Sequence, residues 1–291
     1  MSEYAIYVGC VIANRFPYIE AASRKVMDKL GIKVADIPEF GCCPDPAGFQ
    51  CIDQKTWTAI AARNLCVAEE ANKDILTFCN GCFETLKTVN TELKNDGHHL
   101  KEINEIISKI GKQFKGTINV YHLLEVLYKN IGIEAIQKAV TKKMDGLKIA
   151  TFYGCHYGRP GYILNFDDPL RPESLDKIVE ATGAKSVEYL KKYQCCGNAI
   201  SGVNEEAQTA MLESKLKQID RVKADCLVVM CPACFTQFEM NQGKVNKAFN
   251  TEYKIPTLYF TELLALAFGE KPEDLGVKFH RIKLKSLLER I

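Results

Sequence analysis

The stretch Tyr193-Gln194-Cys195-Cys196-Gly197-Asn198 places two cysteines side by side, and the rest of the chain is spaced around that pair. Thirty-nine residues separate it from Cys155 upstream, and 34 separate it from Cys231-Pro232-Ala233-Cys234 downstream. The order is C…CC…CxxC. The first half has the same order: Cys10, 31 residues, Cys42-Cys43, 35 residues, then Cys79-Asn80-Gly81-Cys82. Ten of the 13 cysteines therefore fall in two copies of one pattern.

The repeat extends beyond the cysteines. Short β-forming runs at 4–8, 33–37, 74–78 and 118–120 are answered by runs at 147–153, 185–188, 226–230 and 257–260. Helical spacing at 17–30, 54–71 and 83–93 is answered at 173–182, 205–222 and 235–249. Further helices are expected at 102–114, 122–130 and 132–144, and a basic amphipathic tail at 278–291. Strands alternating with helices predict an α/β fold with parallel sheets. The expectation is two homologous α/β domains, 1–145 and 146–291, in a pseudo-two-fold arrangement. Each lone cysteine and each CxxC then follows the carboxyl end of a strand, the edge at which open α/β sheets bind ligands. The largest mismatch between the halves, 31 residues against 39, falls in a Gly/Pro-rich loop at 158–172.

Composition narrows the function. The chain has 291 residues, 47% hydrophobic and 25% charged, and a formal net charge of only +2. Bulk charge therefore points neither to nucleic acid nor to a membrane surface. The start, MSEYAIYVGC, lacks a basic run followed by an apolar one, so no signal peptide is expected. No stretch approaches the roughly 18 apolar residues of a spanning helix. A cytoplasmic location is expected, and in a reducing cytosol so many cysteines read as metal ligands before disulfides.

Zinc takes four ligands in a tetrahedron, whereas each half offers five cysteines with two adjacent. Adjacent thiolates reach two metals of a cluster more easily than they chelate one ion. Iron–sulfur clusters are held by thiolates, but a cubane needs four and leaves one over. Iron–sulfur, zinc and a bare dithiol are all compatible with the residues, in that order of preference.

The duplicated Cys155…Cys195-Cys196-Gly197…Cys231-x-x-Cys234 pattern resembles the cysteine-rich CCG domain pair found in the B subunit of heterodisulfide reductase from methanogenic archaea, over essentially the whole chain. The resemblance implies two non-cubane [4Fe-4S] clusters. One would be held by Cys10, Cys42, Cys43, Cys79 and Cys82, the other by Cys155, Cys195, Cys196, Cys231 and Cys234. The first pair departs from the family by having Pro44 where Gly is expected. Cys51, Cys66 and Cys226 lie outside the pattern, and the last two read as core packing.

The implied reaction is reduction of the coenzyme M–coenzyme B disulfide to two thiols, with the substrate between the clusters. Splitting a disulfide takes two electrons, and two clusters can deliver one each. His156, next to Cys155, is the candidate proton donor. Arg15 and Arg159 follow the lone cysteines at similar distances and are candidates for the anionic ends of the substrate, ahead of Lys191 and Lys192. His98, His99 and His280 read as surface residues and His122 as structural. Electrons would come from the ferredoxin-like C subunit and the flavin-containing A subunit of heterodisulfide reductase, with a hydrogenase or formate dehydrogenase further along. The tail at 278–291 is a candidate docking element for such a partner. The main alternative is a CCG-type electron-transfer subunit of a thiol-linked fumarate reductase or a quinone-linked hydroxy-acid dehydrogenase complex.

If the two patterns hold separate centres, Cys196→Ala should abolish disulfide reduction and lower the metal content of one half only. Cys66→Ala should do neither. Metal analysis of the anaerobically purified variants reads both, and full activity in the Cys196 variant would rule out a two-centre mechanism.

Overall fold

The computed structural model describes residues 3–291. Strand β1 (Tyr4–Tyr7) is buried at all four positions. Burial on both faces is what a parallel strand covered by helices requires. With β2 (Val34–Asp36), β3 (Ile75–Thr77) and β4 (Val120–His122) it forms a four-stranded parallel sheet in the order β2-β1-β3-β4. The second half repeats this with β5 (Lys148–Phe152), β6 (Lys185–Val187), β7 (Cys226–Val229) and β8 (Thr257–Tyr259), ordered β6-β5-β7-β8. The registers are parallel throughout, for example Ala5 beside Ile75 and Ile149 beside Cys226. The expected α/β class and the similarity of the two halves are therefore present in the structure.

In each sheet the chain runs outward from the first strand on one side and returns on the other. The order reverses between β1 and β3, and between β5 and β7. A crevice opens beyond the carboxyl ends of the two strands at such a point. Cys10 and Cys79 follow β1 and β3, and Cys155 and Cys231 follow β5 and β7.

Matched helices form for matched reasons. Helix Gln54–Glu70 is capped by the Asp53 carboxylate, which accepts from Thr56 N, and helix Glu205–Arg221 by the Asn204 amide oxygen, which accepts from Ala207 N. Such caps satisfy first-turn donors that have no partner within the helix. The helix expected at 83–93 instead spans Asn80–Asn95, with Cys79 at its N-cap position. The one expected at 235–249 begins at Pro232, where a missing N–H costs nothing. It then loosens into a π-helical turn, Thr236–Met240, before Gln242–Phe249.

The halves clasp each other. Helix Pro17–Lys29 of the first packs on Phe260–Ala267 of the second, and Ser174–Ala181 of the second packs on Leu123–Glu125 of the first. The Ser23 hydroxyl donates to Thr261 Oγ1 (2.9 Å). The Phe16 and Phe235 rings meet edge to face at 5.0 Å. These contacts are buried and mostly apolar, so a single core runs through both halves.

The tail departs from expectation. It is not one amphipathic helix but two short turns, Val277–Phe279 and Lys285–Leu288. Nor is His280 at the surface: it is 1% exposed. Its Nε2 lies 2.9 Å from Glu262 Oε1 and its Nδ1 3.5 Å from Glu239 Oε1. Glu239 also accepts from the backbone of Ile282 (3.2 Å), so the two acids pin the tail to the second half. Burial alone would lower the His280 pKa, but Glu262 and Glu239 outweigh it and hold it up to about 10.

A folded pKa above the unfolded value stabilises fully below the unfolded pKa and fades as pH rises through the folded one. His280→Gln should therefore cost about 3–5 kcal/mol near pH 6, because it leaves two buried carboxylates without their cation. The gap from wild type should narrow as pH approaches 10. Denaturant unfolding at pH 6, 8 and 9.5 measures it, and a gap that widens with pH would contradict the assigned charge.

Candidate active site

Beyond β1 the chain passes through Val8-Gly9-Cys10, and beyond β5 through Tyr153-Gly154-Cys155. Gly9 has φ 79° and ψ 154°, a region essentially reserved for glycine. A Cβ there would stand 2.8 Å from Cys82 Sγ. Gly154 has φ 75°, and a Cβ would stand 3.2 Å from Cys234 Sγ. The two glycines thus bring each lone cysteine onto the CxxC of its own half. Cys79 and Cys231 occupy N-cap positions, and Cys82 and Cys234 follow three residues later on the same helical face.

The paired cysteines are held from the capped helices. Asn64 accepts from Gly41 N (2.9 Å) and donates to Cys42 O (2.9 Å), fixing the first loop. In the second, Gly197 adopts a left-handed conformation at φ 90°. A Cβ there would come within 3.3 Å of both Gln208 O and Met211 Cβ, so that loop lies directly on helix Glu205–Arg221.

The ten sulfurs form one continuous row. Cys10 neighbours Cys42, Cys42 neighbours Cys43, Cys43 neighbours Cys82, and Cys82 neighbours Cys79. Cys79 then meets Cys231 of the other half. The series continues through Cys234, Cys196 (3.5 Å from Cys234), Cys195 and Cys155. Read from Cys79 outward or from Cys231 outward, the order within the repeat is the same, which is pseudo-two-fold symmetry at the level of single sulfurs. The CxxC cysteines are buried, whereas Cys10 and Cys42 are exposed and Cys155 and Cys195 partly so. All ten line one cavity of about 200 Å³. Two bonds lock the halves at its base. Asn80 Nδ2 donates to Tyr153 O (2.7 Å), and the Tyr259 hydroxyl sits between the carbonyls of Phe78 and Met230 (2.8 Å to the latter).

His156 also lines this cavity. Its Nδ1 lies 3.9 Å from Glu84 Oε2, an electrostatic contact too long for a hydrogen bond. Glu84 belongs to the other half and is buried, and that burial pushes its carboxyl up to about 7. Sequence reasoning passed Glu84 over, although an acid two residues past a CxxC, in a helix with a buried face, was a visible signal. Arg15 and Arg159 are not part of the lining. Arg15 is exposed at the end of helix Cys10–Arg15. Arg159 donates to Pro169 O (3.2 Å) and Tyr193 O (3.3 Å), tying the 158–172 loop to the segment before the second cysteine pair. Lys192 is buried between Asp176 (2.8 Å) and Glu188 (2.7 Å), and Lys191 is exposed. Cys66 and Cys226 stand apart, and burial pushes both thiols up to about 12, so they stay protonated and inert.

Gly9→Ala tests this construction. It should cost about 1–3 kcal/mol in backbone strain and displace Cys82, so metal bound by the first half falls while the second keeps its share. Wild-type metal content in Gly9→Ala would show that the close approach to Cys82 is dispensable.

A model of the cysteine-rich CCG domain matches residues 4–87 and again 149–239. The B subunit of the ferredoxin/F(420)H(2)-dependent CoB-CoM heterodisulfide reductase of Methanosarcina acetivorans is 40% identical over 100% of this chain and 97% of its own length. The 8-methylmenaquinol:fumarate reductase membrane anchor subunit of Wolinella succinogenes is 31% identical over 98% of this chain and 99% of its own. The crystal structure of a hypothetical protein from Helicobacter pylori superposes with a TM-score of 0.76 at 20% identity, covering 97% of this chain and 52% of that one, and so supports the fold. No helix among the described residues is long and apolar enough to cross a membrane. With both CCG matches falling on the two cysteine sets and a 40% identical relative spanning its full length, the chain belongs to the cysteine-rich CCG family and, within it, to the family of heterodisulfide reductase B subunits.

Proposed function

We propose that this chain is the disulfide-reducing subunit of a heterodisulfide reductase and splits the coenzyme M–coenzyme B disulfide in the cavity between the two cysteine sets. The observation that carries this reading is the unbroken row of ten sulfurs crossing from one half to the other over that cavity. Among the described residues no three of these groups converge on one point closely enough to grip a single ion. Five sulfurs strung in a row suit several irons of a cluster better than one tetrahedral zinc. Cys10, Cys42, Cys43, Cys79 and Cys82 would hold one non-cubane [4Fe-4S] cluster, and Cys155, Cys195, Cys196, Cys231 and Cys234 the other. Bound there, the clusters supply single electrons, two in all.

The balance is one disulfide, two electrons and two protons giving two thiols. The chain's own residues supply position and protons. Val8, Val11, Ile12, Pro46 and Pro232 give the cavity apolar walls that keep bulk water from the cleaved bond. His156, which lines the cavity beside Cys155, donates a proton to the thiolate formed on the second-half side. Arg15 and Arg159, outside the lining, are proposed to meet the anionic tails where they leave the cavity. The electron donors are the ferredoxin-like C subunit and the flavin-containing A subunit of the same complex.

The Wolinella relative supports a second reading, an electron-transfer subunit that reduces no disulfide. Completeness of both cysteine sets around one cavity favours the first. The decisive assay is anaerobic: the protein with its partner subunits, a reduced viologen as donor, and the coenzyme M–coenzyme B disulfide. Two thiols per disulfide and about eight irons per chain are expected. His156→Gln should lower kcat by about 100-fold with iron unchanged and KM little altered. Rapid electron uptake without thiol release would favour the electron-transfer reading.

A further inference from the structure

The two cysteine sets are symmetric, but their surroundings are not. Counting from the helix caps Asp53 and Asn204, the position that is Asn64 in the first half is Lys215 in the second. Asn64 is neutral and spends its amide on the loop of Cys42. Lys215 is 2% exposed, on the face of helix Glu205–Arg221 that carries Gln208 and Met211 against Gly197. That face packs on the loop of Cys195 and Cys196, so the Lys215 ammonium lies within electrostatic range of Cys196, Cys195 and Cys234. It donates to Met211 O at 3.3 Å and, among the described residues, forms no ion pair with a carboxylate. A buried cation without an acid is costly unless another anion balances it, and here the balancing anions would be the cysteine thiolates that hold the second cluster.

Two further differences act in the same direction. Counting from the cysteine pairs, Asp45 of the first half corresponds to Asn198 of the second, and both line the cavity. Gly197 N donates to Cys195 Sγ at 3.4 Å, whereas Pro44, in the equivalent place, has no N–H to give Cys42. The first loop has a cation in Arg63, but it reaches Glu39 O from the half-exposed surface, where water screens it. Net charge and hydrogen bonds to sulfur are the protein's levers on the potential of an iron–sulfur centre. Lys215 is buried and Asp45 exposed, so Lys215 has the larger effect.

Resting on the two-cluster reading above, we propose that Lys215 is a positioning residue that makes the Cys155/Cys195/Cys196/Cys231/Cys234 centre the more readily reduced of the two. The first electron to arrive then resides in the second half, and the two electrons meet the disulfide from inequivalent sides.

The test is a dithionite titration of the iron-loaded protein in its complex, followed by electron paramagnetic resonance, with Cys42→Ala and Cys196→Ala assigning each signal to a half. The second-half signal should be reduced first. Lys215→Met should lower its potential and leave the first-half signal in place. Lys215→Arg should restore it, and Asp45→Asn should raise the first-half potential by a smaller step. If Lys215→Met moves neither signal, or both equally, the inference is wrong. Should that variant lose its iron, the Lys215→Arg and Asp45→Asn titrations decide in the same way. Loss of disulfide reduction as a property of the wild type would sink the proposed reaction and leave these shifts standing. Absence of two iron signals would sink the two-cluster reading itself.

Discussion

Cys79 meets Cys231 across the junction of the two halves, and the rest of the structure serves that meeting. Each sulfur stands where β3 or β7 gives way to a helix, at the reversal point of its sheet. Bringing two such points face to face requires the helices around them to clasp. Pro17–Lys29 and Ser174–Ala181 each reach over to the other half for this reason. It also requires polar backbone groups at the junction to be satisfied away from water. Tyr259 shares its one hydroxyl proton between the carbonyls just before both CxxC motifs, and Asn80 donates to that of Tyr153.

Duplication supplies the symmetry, and single positions have since broken it. At the position of Tyr259 the first half has His122, which is fully buried and accepts from Leu124 N (3.1 Å) through Nδ1. Burial lowers its pKa to about 3, so the ring stays neutral. Pro44 against Gly197, Asp45 against Asn198 and Asn64 against Lys215 are further examples, all around the cysteine pairs. A symmetric frame holds the sulfurs in matched places, and a few unmatched side chains set what each group of sulfurs experiences. The reaction proposed for the cavity needs both, because the disulfide it splits has two different ends.

Much of this was legible in the order of residues. Spacing of the cysteines revealed the duplication, and the runs before Cys10, Cys79, Cys155 and Cys231 revealed the strands that deliver them. Those features are local, set by chain connectivity and by strand and helix period, so a linear reading recovers them. The helix expected over 278–291 failed because its pattern was only compositional. The tail is held by His280 between Glu239 and Glu262, contacts made with distant residues.

The charges of the site were not legible, because a side chain's role depends on which face it presents and what faces it. Arg15 and Arg159 stood near cysteines in sequence, yet the first points to solvent and the second braces a loop. Glu84 and Lys215 are not adjacent to any cysteine in sequence, yet packing buries both near the two cysteine sets. The sequence by itself determined the fold class, the duplication and the ten sulfurs. Only the tertiary structure decided that the two sets share one cavity, and which charges stand around it, because both follow from how two separately wound sheets turn their reversal points toward each other.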